Sequence, residues 1–427
     1  MRTILWFLFL FAVAAAVALF AGNNQGTVTL YWPPYRIDLS LNLVLLLLLG
    51  VFFLLYATVR GVSLLLALPG EARRWRMRHH ERVAQQGLVD ALSHLTAGRF
   101  LRARKAAENV VAQTESLARS EQALPHGTRL MAMGHLLAAE CAHALQDRAG
   151  RDEHVRQAQE LTQSARRDEQ EIREGLQLRV ARWAFDDRDV QAALQRLDEL
   201  PQGVARRTLA LRLRLKVTRL AGQTRAALET ARLLGKHRAF SESASRSIVR
   251  GLATELVRNT HDPAQLQKVW GQLDDTERRL PEVALQAGER MMDLGGDFTL
   301  VQQWLLPIWE QLVRPASALP QELRLRLVRL LERGFREAPG QPDAGWLARI
   351  EAAQMANPRE ALLQYLAGIA CMHLSLWGKA QLLLRQSLNQ LTDEPLRRRA
   401  WTALARLAEQ RDDAAAALEA WRQAAQG

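Results

Sequence analysis

The sequence predicts an all-α protein, with an N-terminal two-span transmembrane helical hairpin followed by an α-solenoid. Three observations predict it. Two charge-free apolar runs of membrane length open the 427-residue chain, apolar residues then recur at three- and four-residue spacings, and small residues reappear in one fixed frame.

The first run extends from Thr3 to Ala21 and the second from Leu39 to Val59. At about 1.5 Å per helical residue each reaches roughly 30 Å, one hydrocarbon thickness. A cleavable signal peptide, with Ala16, Val17 and Ala18 as its small-residue site, is the competing reading of the first run and leaves the second span in the same orientation. Arg2 precedes the first run, the loop holds Arg36 and Asp38, and Arg60, Arg73, Arg74, Arg76, Arg78 and Arg82 follow the second. The positive-inside rule therefore places both termini and the bulk of the chain in the cytoplasm and residues 22–38 outside.

Between the runs, GTVTLYWPPYRIDLS (26–40) alternates Val28, Leu30 and Trp32 on one arm with Ile37 and Leu39 on the other, around Pro33 and Pro34. This pattern predicts a short β-hairpin capping the outer end of the spans, supported by the membrane interface or a neighbouring protein, because an isolated hairpin is marginal in water. An irregular loop whose aromatics anchor the interface is the alternative.

Residues 61–83 form a basic juxtamembrane segment. Arg73, Arg74, Arg76, Arg78 and Arg82, with Trp75 as an interfacial wedge, are expected to contact anionic lipid, each Arg contributing on the order of 1 kcal/mol near such a surface. A solvated stop-transfer flank is the plainer reading.

From residue 84 onwards the helices repeat. Ala91 is followed by Gly98 seven residues on, then by Phe100 and Ala103, the spacing of a tetratricopeptide unit with a small residue on helix A, a turn glycine, and a small residue on helix B. Ala181 and Ala193 fill the two small positions of another unit. Leu215, Gly222, Thr224 and Ala227 follow the same frame, and Ala193 and Ala227 lie 34 residues apart. Gly368, Trp377 and Ala380 repeat it, as do Trp401, Leu404, Ala405, Ala417 and Trp421, while a degenerate unit surrounds Gly296 and Phe298. Leu137, Ala138 and Ala139 begin a further one. A lone helix pair cannot bury both apolar faces, so pairs stack, and small residues let them approach closely. The Pro-rich stretch at 313–320 is expected to separate an N-terminal block, 84–312, from a C-terminal block, 321–427, with residues 1–60 forming the membrane hairpin. Trp183, Trp270, Trp304, Trp309, Trp346, Trp377, Trp401 and Trp421 are expected to pack between helices.

Chemistry is scarce. No GxG turn, GK[ST] loop, HExxH or nucleophile elbow occurs, so nucleotide-binding, zinc-protease and esterase classes have no motif to stand on. Cys141 and Cys371 are too far apart in sequence for a local metal cluster, and His135, His143 and His373 are expected to be structural. The acidic runs DDRD and DDTE fall at helix junctions and read as caps. All but five of the 57 Lys and Arg are Arg. That bias follows from a GC-rich genome as readily as from function, and without interleaved aromatics it does not indicate nucleic acid. No enzyme, cofactor or metal is expected.

The NNQGTVTLYWPPYRIDLSL loop between spans, the RRWRMRHHER exit, the first repeat ALSHLTAGRFLRARKAAENV and the helix HLLAAECAHALQD (135–147) together resemble the HemY family of proteobacteria, inner-membrane proteins associated with haem biosynthesis. The resemblance implies a membrane-anchored tetratricopeptide protein that organises or regulates enzymes of late porphyrin metabolism. Expected partners are haem-biosynthesis enzymes and anionic lipids. A general envelope-assembly adaptor, or a direct haem or porphyrin carrier using His135, Cys141 or Cys371, are the alternatives. The flavin-dependent oxidase that shares the name needs a glycine-rich dinucleotide turn, which this chain lacks, and the family supplies no catalytic residues to transfer.

Overall fold

A computed structural model describes residues 2–23, 25–119, 124, 126–163, 167–313, 319–337 and 344–426, and the structural statements below concern these. Helix α1 (Arg2–Asn23) forms over the first apolar run. Strands β1 (Thr27–Trp32) and β2 (Tyr35–Ser40) then pair antiparallel around Pro33 and Pro34, so the loop is a hairpin and the chain is not wholly helical. The register sets Val28 opposite Leu39, Leu30 opposite Ile37 and Trp32 opposite Tyr35. Opposed residues share a face. One face is therefore entirely apolar, and the other carries Thr27, Thr29, Tyr31, Arg36, Asp38 and Ser40.

Helix α2 (Leu41–Thr96) starts two residues later than the apolar run suggested, because β2 extends to Ser40 and the Ser40 hydroxyl accepts the Leu43 N–H at 3.3 Å as an N-cap. Within α2, Leu41–Ser63 is long and apolar enough to cross a membrane, the one such helix among the described residues. Its 56 residues run on without a break through the basic segment and into the first repeat. The boundary expected at residue 83 is thus absent. Arg, Glu, Ala and Leu, all strong helix formers, fill most of the connection, and the end of the same helix serves as helix A of the first unit.

The turns explain how helix pairs arise from a sequence with few glycines in frame. Gly98, Gly222 and Gly295 adopt positive φ, and so do Gln146, Arg188, Arg238, Ser375 and Asp412. At each, the residue after it donates its N–H to the carbonyl five positions back, and the turn residue donates to the carbonyl three back, as in Arg99 to His94 and Gly98 to Leu95. This is the paired bonding of a Schellman stop. A helix-starting Asp follows directly in three cases: Asp147, Asp189 and Asp413 accept the N–H of Gly150, Ala192 and Ala416 at 2.9, 2.9 and 3.1 Å. The chain is stopped and restarted in two residues, which holds the helices antiparallel.

The chain divides into two compact units, Met1–Leu176 and Gln177–Gly427. In the first, α2 packs on α3 (Phe100–Arg119), α3 on α4 (Gly127–Ala144) and α4 on α5 (Arg148–Thr162), around Ala91, Ala107, Leu137 and Ala138. Helix α6 covers Arg167–Asp186. In the second unit, α7 (Val190–Asp198), α8 (Gln202–Ala205) and α9 (Thr208–Leu220) close a small core with Ala181, Ala193 and Val217. There follow α10 (Thr224–Lys236), α11 (Glu242–Arg258), α12 (Pro263–Gln272), α13 (Asp275–Arg278), α14 (Pro281–Asp293) and α15 (Phe298–Val313). Then come α16 (Gln321–Glu337), α17 (Ala344–Ala356), α18 (Ala361–His373), α19 (Trp377–Leu388), α20 (Glu394–Glu409) and α21 (Ala414–Gln426). One buried core runs from Leu211 to Ala420. The expected boundary at 313–320 does not interrupt it, because α16 packs back onto α14 and α15.

Candidate functional site

The repeat-signature residues sit where close approach is needed. Ala91, Ala103, Ala181, Ala193, Ala227, Ala380 and Ala405 are fully buried, and Ala417 nearly so. Gly98 and Gly222 turn the chain at φ of 72° and 70°. Gly368 is buried within α18, where a Cβ would lie 2.7 Å from Leu384 Cγ on α19. In the degenerate unit the positive φ falls on Gly295 rather than Gly296, while Phe298 is buried against Phe335.

Of the basic segment, the side chains of Arg73 and Arg74 lie outside the described residues. Arg76, Arg78 and Arg82 are exposed on α2, and Trp75, 67% exposed, stacks on His79 at 5.6 Å.

The residues weighed for chemistry are occupied by packing. His135 is buried on α4, and its Nδ1 shares a hydrogen bond of 3.1 Å with His154 Nδ1 on α5. Burial, and then the neighbouring His154, push the His135 pKa down to about 4. His154 also lies 3.5 Å from Glu108, which accepts from Arg104 Nε at 2.7 Å, and Arg104 in turn donates to Asp147 at 2.7 Å. This chain of groups ties α3, α4 and α5 together. Cys141 and Cys371 are buried and unbridged, their thiols pushed up to about 11 by burial, which leaves them poor nucleophiles. Burial likewise lowers His373. Among the described residues no group of three or more His, Cys, Asp and Glu could hold a metal ion.

Many arginines are spent between helices. Arg232 on α10 grips Glu277 of α13 through two bonds of 2.8 and 2.5 Å. Arg326 on α16 holds Glu289 of α14 at 2.9 and 2.6 Å, and Arg333 holds Asp293 of α14 at 2.6 Å. Arg329 reaches Asp393, the N-cap of α20, at 2.6 Å, while Arg399 returns from α20 to the buried Glu332 at 3.0 Å. These partners are 37 to 67 positions apart in sequence. The sequence reading missed them, along with His154, because no local spacing marks a pair that only folding creates. The tryptophans also pack. Trp183, Trp304, Trp309 and Trp346 are buried, and Trp270 stacks on Trp304 at 4.7 Å, whereas Trp421 stays partly exposed and donates to Glu409 at 2.7 Å. Of the acidic runs, Asp189 caps α7, and Asp274 with Glu277 forms a capping box on α13.

The paired helices, their turns and the apolar stretch of α2 define a tetratricopeptide-like helical-repeat protein with a membrane-length apolar helix near its N-terminus. Residues 26–146 match the family model described as the HemY protein N-terminus. That match takes in the hairpin, the apolar helix and the first paired helices. Among solved structures the chain is similar to the P58(IPK) TPR domain, at 15% identity over 77% of this chain and 98% of that one, with a TM-score of 0.22. It is also similar to a chain of the Naa15/Naa10 complex bound to HypK-THB, at 12% identity over 81% of this chain and 59% of that one, with a TM-score of 0.26. A chain of the APC/C hetero-tetramer Cut9–Hcn1 gives 13% identity over 80% and 66%, also with a TM-score of 0.26. No curated protein matches the chain.

Proposed function

We propose that the chain is a membrane-anchored scaffold or regulator of late haem and porphyrin biosynthesis, docking pathway enzymes on its helical repeats at the cytoplasmic face of the inner membrane rather than catalysing a step. The observation that carries the reading is the match to the HemY N-terminal domain over residues 26–146, within which one unbroken helix joins the apolar segment to the first repeat. A repeat anchored in this way holds bound partners beside the membrane at high local concentration, which is how a scaffold acts without chemistry of its own.

In this reading α1 is the second crossing, giving a two-span hairpin with both termini cytoplasmic. The lipid contact assigned to Arg73, Arg74, Trp75, Arg76, Arg78 and Arg82 then carries a geometric condition. As a straight helix, α2 would lift Arg82 about 28 Å beyond Ser63, several Debye lengths from the surface at physiological salt. Contact with anionic headgroups therefore needs α2 to bend between Ser63 and Arg73.

The test is to crosslink the full chain in its native membrane, identify what it captures, and compare porphyrin and haem profiles with and without the chain. Capture of haem-pathway enzymes with porphyrin accumulation on deletion supports the scaffold. Capture of unrelated envelope proteins with unchanged porphyrins replaces it with the general adaptor reading. Stoichiometric haem binding by the purified chain, with a Soret shift lost in His135→Ala, replaces it with direct carriage.

A further inference from the structure

The β1–β2 hairpin has an unusual distribution of surface. On its apolar face Leu30, Trp32, Tyr35 and Ile37 are 52, 72, 70 and 46% exposed, and Val28 and Leu39 are half-buried. All the charge is on the opposite face. There Arg36 lies 5.8 Å over the Tyr31 ring and 3.4 Å from Asp38, so the two charges are paired with each other rather than turned towards the apolar side. A contiguous apolar face on a two-stranded ribbon is unstable in water and marks a docking surface.

The chain itself settles what lies beside this face. Ser40 caps α2, the Leu41 N–H donates to Gly26 O at 2.9 Å, and the apolar segment Leu41–Ser63 begins at that residue. The base of the hairpin is therefore tied to the first residue of the apolar stretch of α2. Two further features limit how deep the hairpin can go. Among the described residues no further strand pairs with its outer edges, and open backbone edges do not occur in the hydrocarbon core. Its tip carries Trp32 and Tyr35, whose rings favour the headgroup boundary.

We propose that the hairpin is an interfacial membrane element, with the face of Val28, Leu30, Trp32, Tyr35, Ile37 and Leu39 laid on the lipid around the entry point of α2 and the face of Thr29, Tyr31, Arg36 and Asp38 turned to water. The partner is the lipid surface itself. This rests on the reading of Leu41–Ser63 as a span, and it adds a second, shallow attachment that fixes the rotation of α2 about its own axis.

The experiment uses the full chain in phospholipid nanodiscs with one introduced cysteine at a time, Thr29→Cys, Leu30→Cys, Ile37→Cys, Asp38→Cys or Phe52→Cys, each carrying a nitroxide. Native Cys141 and Cys371 are buried, and the unsubstituted chain serves as the labelling control. Collision with dissolved oxygen, which partitions into lipid, is compared with collision with a water-soluble nickel chelate. The expected result is oxygen in excess at 30 and 37, nickel in excess at 29 and 38, and the strongest oxygen preference at 52. Nickel in excess at all four hairpin positions, with 52 still in lipid, overturns the proposal and leaves the span intact. Low collision with both reagents at 30 and 37 overturns it in favour of a protein cover, such as a second copy. Nickel in excess at 52 overturns the span and the hairpin contact together.

Discussion

Removing Arg232 tests whether the arginines that join neighbouring helices are structural. Glu277, on the short helix α13, is 4% exposed at its side chain and receives both Arg232 bonds. Its remaining partner is the Asp274 N–H at 2.9 Å. Arg232→Met leaves that carboxylate buried with a single donor. Stripping one partner from a buried pair costs about 3 to 5 kcal/mol, and the lower end applies here because Arg232 is 23% exposed and the Asp274 N–H survives. For the unit spanning Gln177–Gly427 the entropy of unfolding is on the order of 0.5 kcal/mol per kelvin, so about 3 kcal/mol lowers the melting temperature by about 6 °C. The assay is thermal unfolding of the detergent-solubilised full chain, followed by far-UV circular dichroism. The double variant Arg232→Met with Glu277→Met replaces the pair by apolar side chains and should recover most of the loss. A single variant as stable as the parent, or a double variant less stable than the single, would refute the assignment.

Three further outcomes are expected. The depressed His135 binds its proton in the unfolded chain but not in the native one between its ordinary 6.5 and about 4, so stability is complete above that window and falls by about 3 kcal/mol as the pH drops through it. Hydrogen exchange in α4 across this range should show the loss, and His135→Gln should flatten it. Gly222→Ala places a Cβ at φ of 70° and should cost about 1 kcal/mol, whereas Arg188→Gly, at φ of 64°, should gain a few tenths, both read by urea unfolding. Gly334→Ala puts its Cβ 1.9 Å from Phe298 Cε2 and should destabilise by about 1 to 3 kcal/mol despite alanine's better helix propensity, as measured by the same unfolding midpoint.

Much of the architecture was legible in local pattern. Period-two alternation located the hairpin, charge-free length located the helices on either side of it, and the small-residue frame located the units around Gly98, Gly222 and Gly368. The frame was legible because a helix contact admits only a small side chain whatever lies elsewhere in the chain. Where a turn carries Gln146, Arg188, Ser375 or Asp412 in the left-handed region, the glycine signal is missing, and the buried small residue seven positions earlier is what marks the turn. The junction at residue 83 and the division at 313–320 were misplaced for a different reason. Composition shifts report solvent and charge, whereas helix continuity and core continuity depend on what packs against the segment.

By itself, the sequence determined the class of the molecule, because helix period, apolar length and small-residue spacing are properties of neighbouring residues. Only the tertiary structure decided how the charges and histidines are used. Whether Arg232, Arg326 and Arg399 face solvent or a buried carboxylate, and whether His135 meets His154, depends on residues brought together from tens of positions away. The apolar face of the hairpin was likewise decided by register, since only the pairing of β1 with β2 gathers its six apolar side chains on a single side.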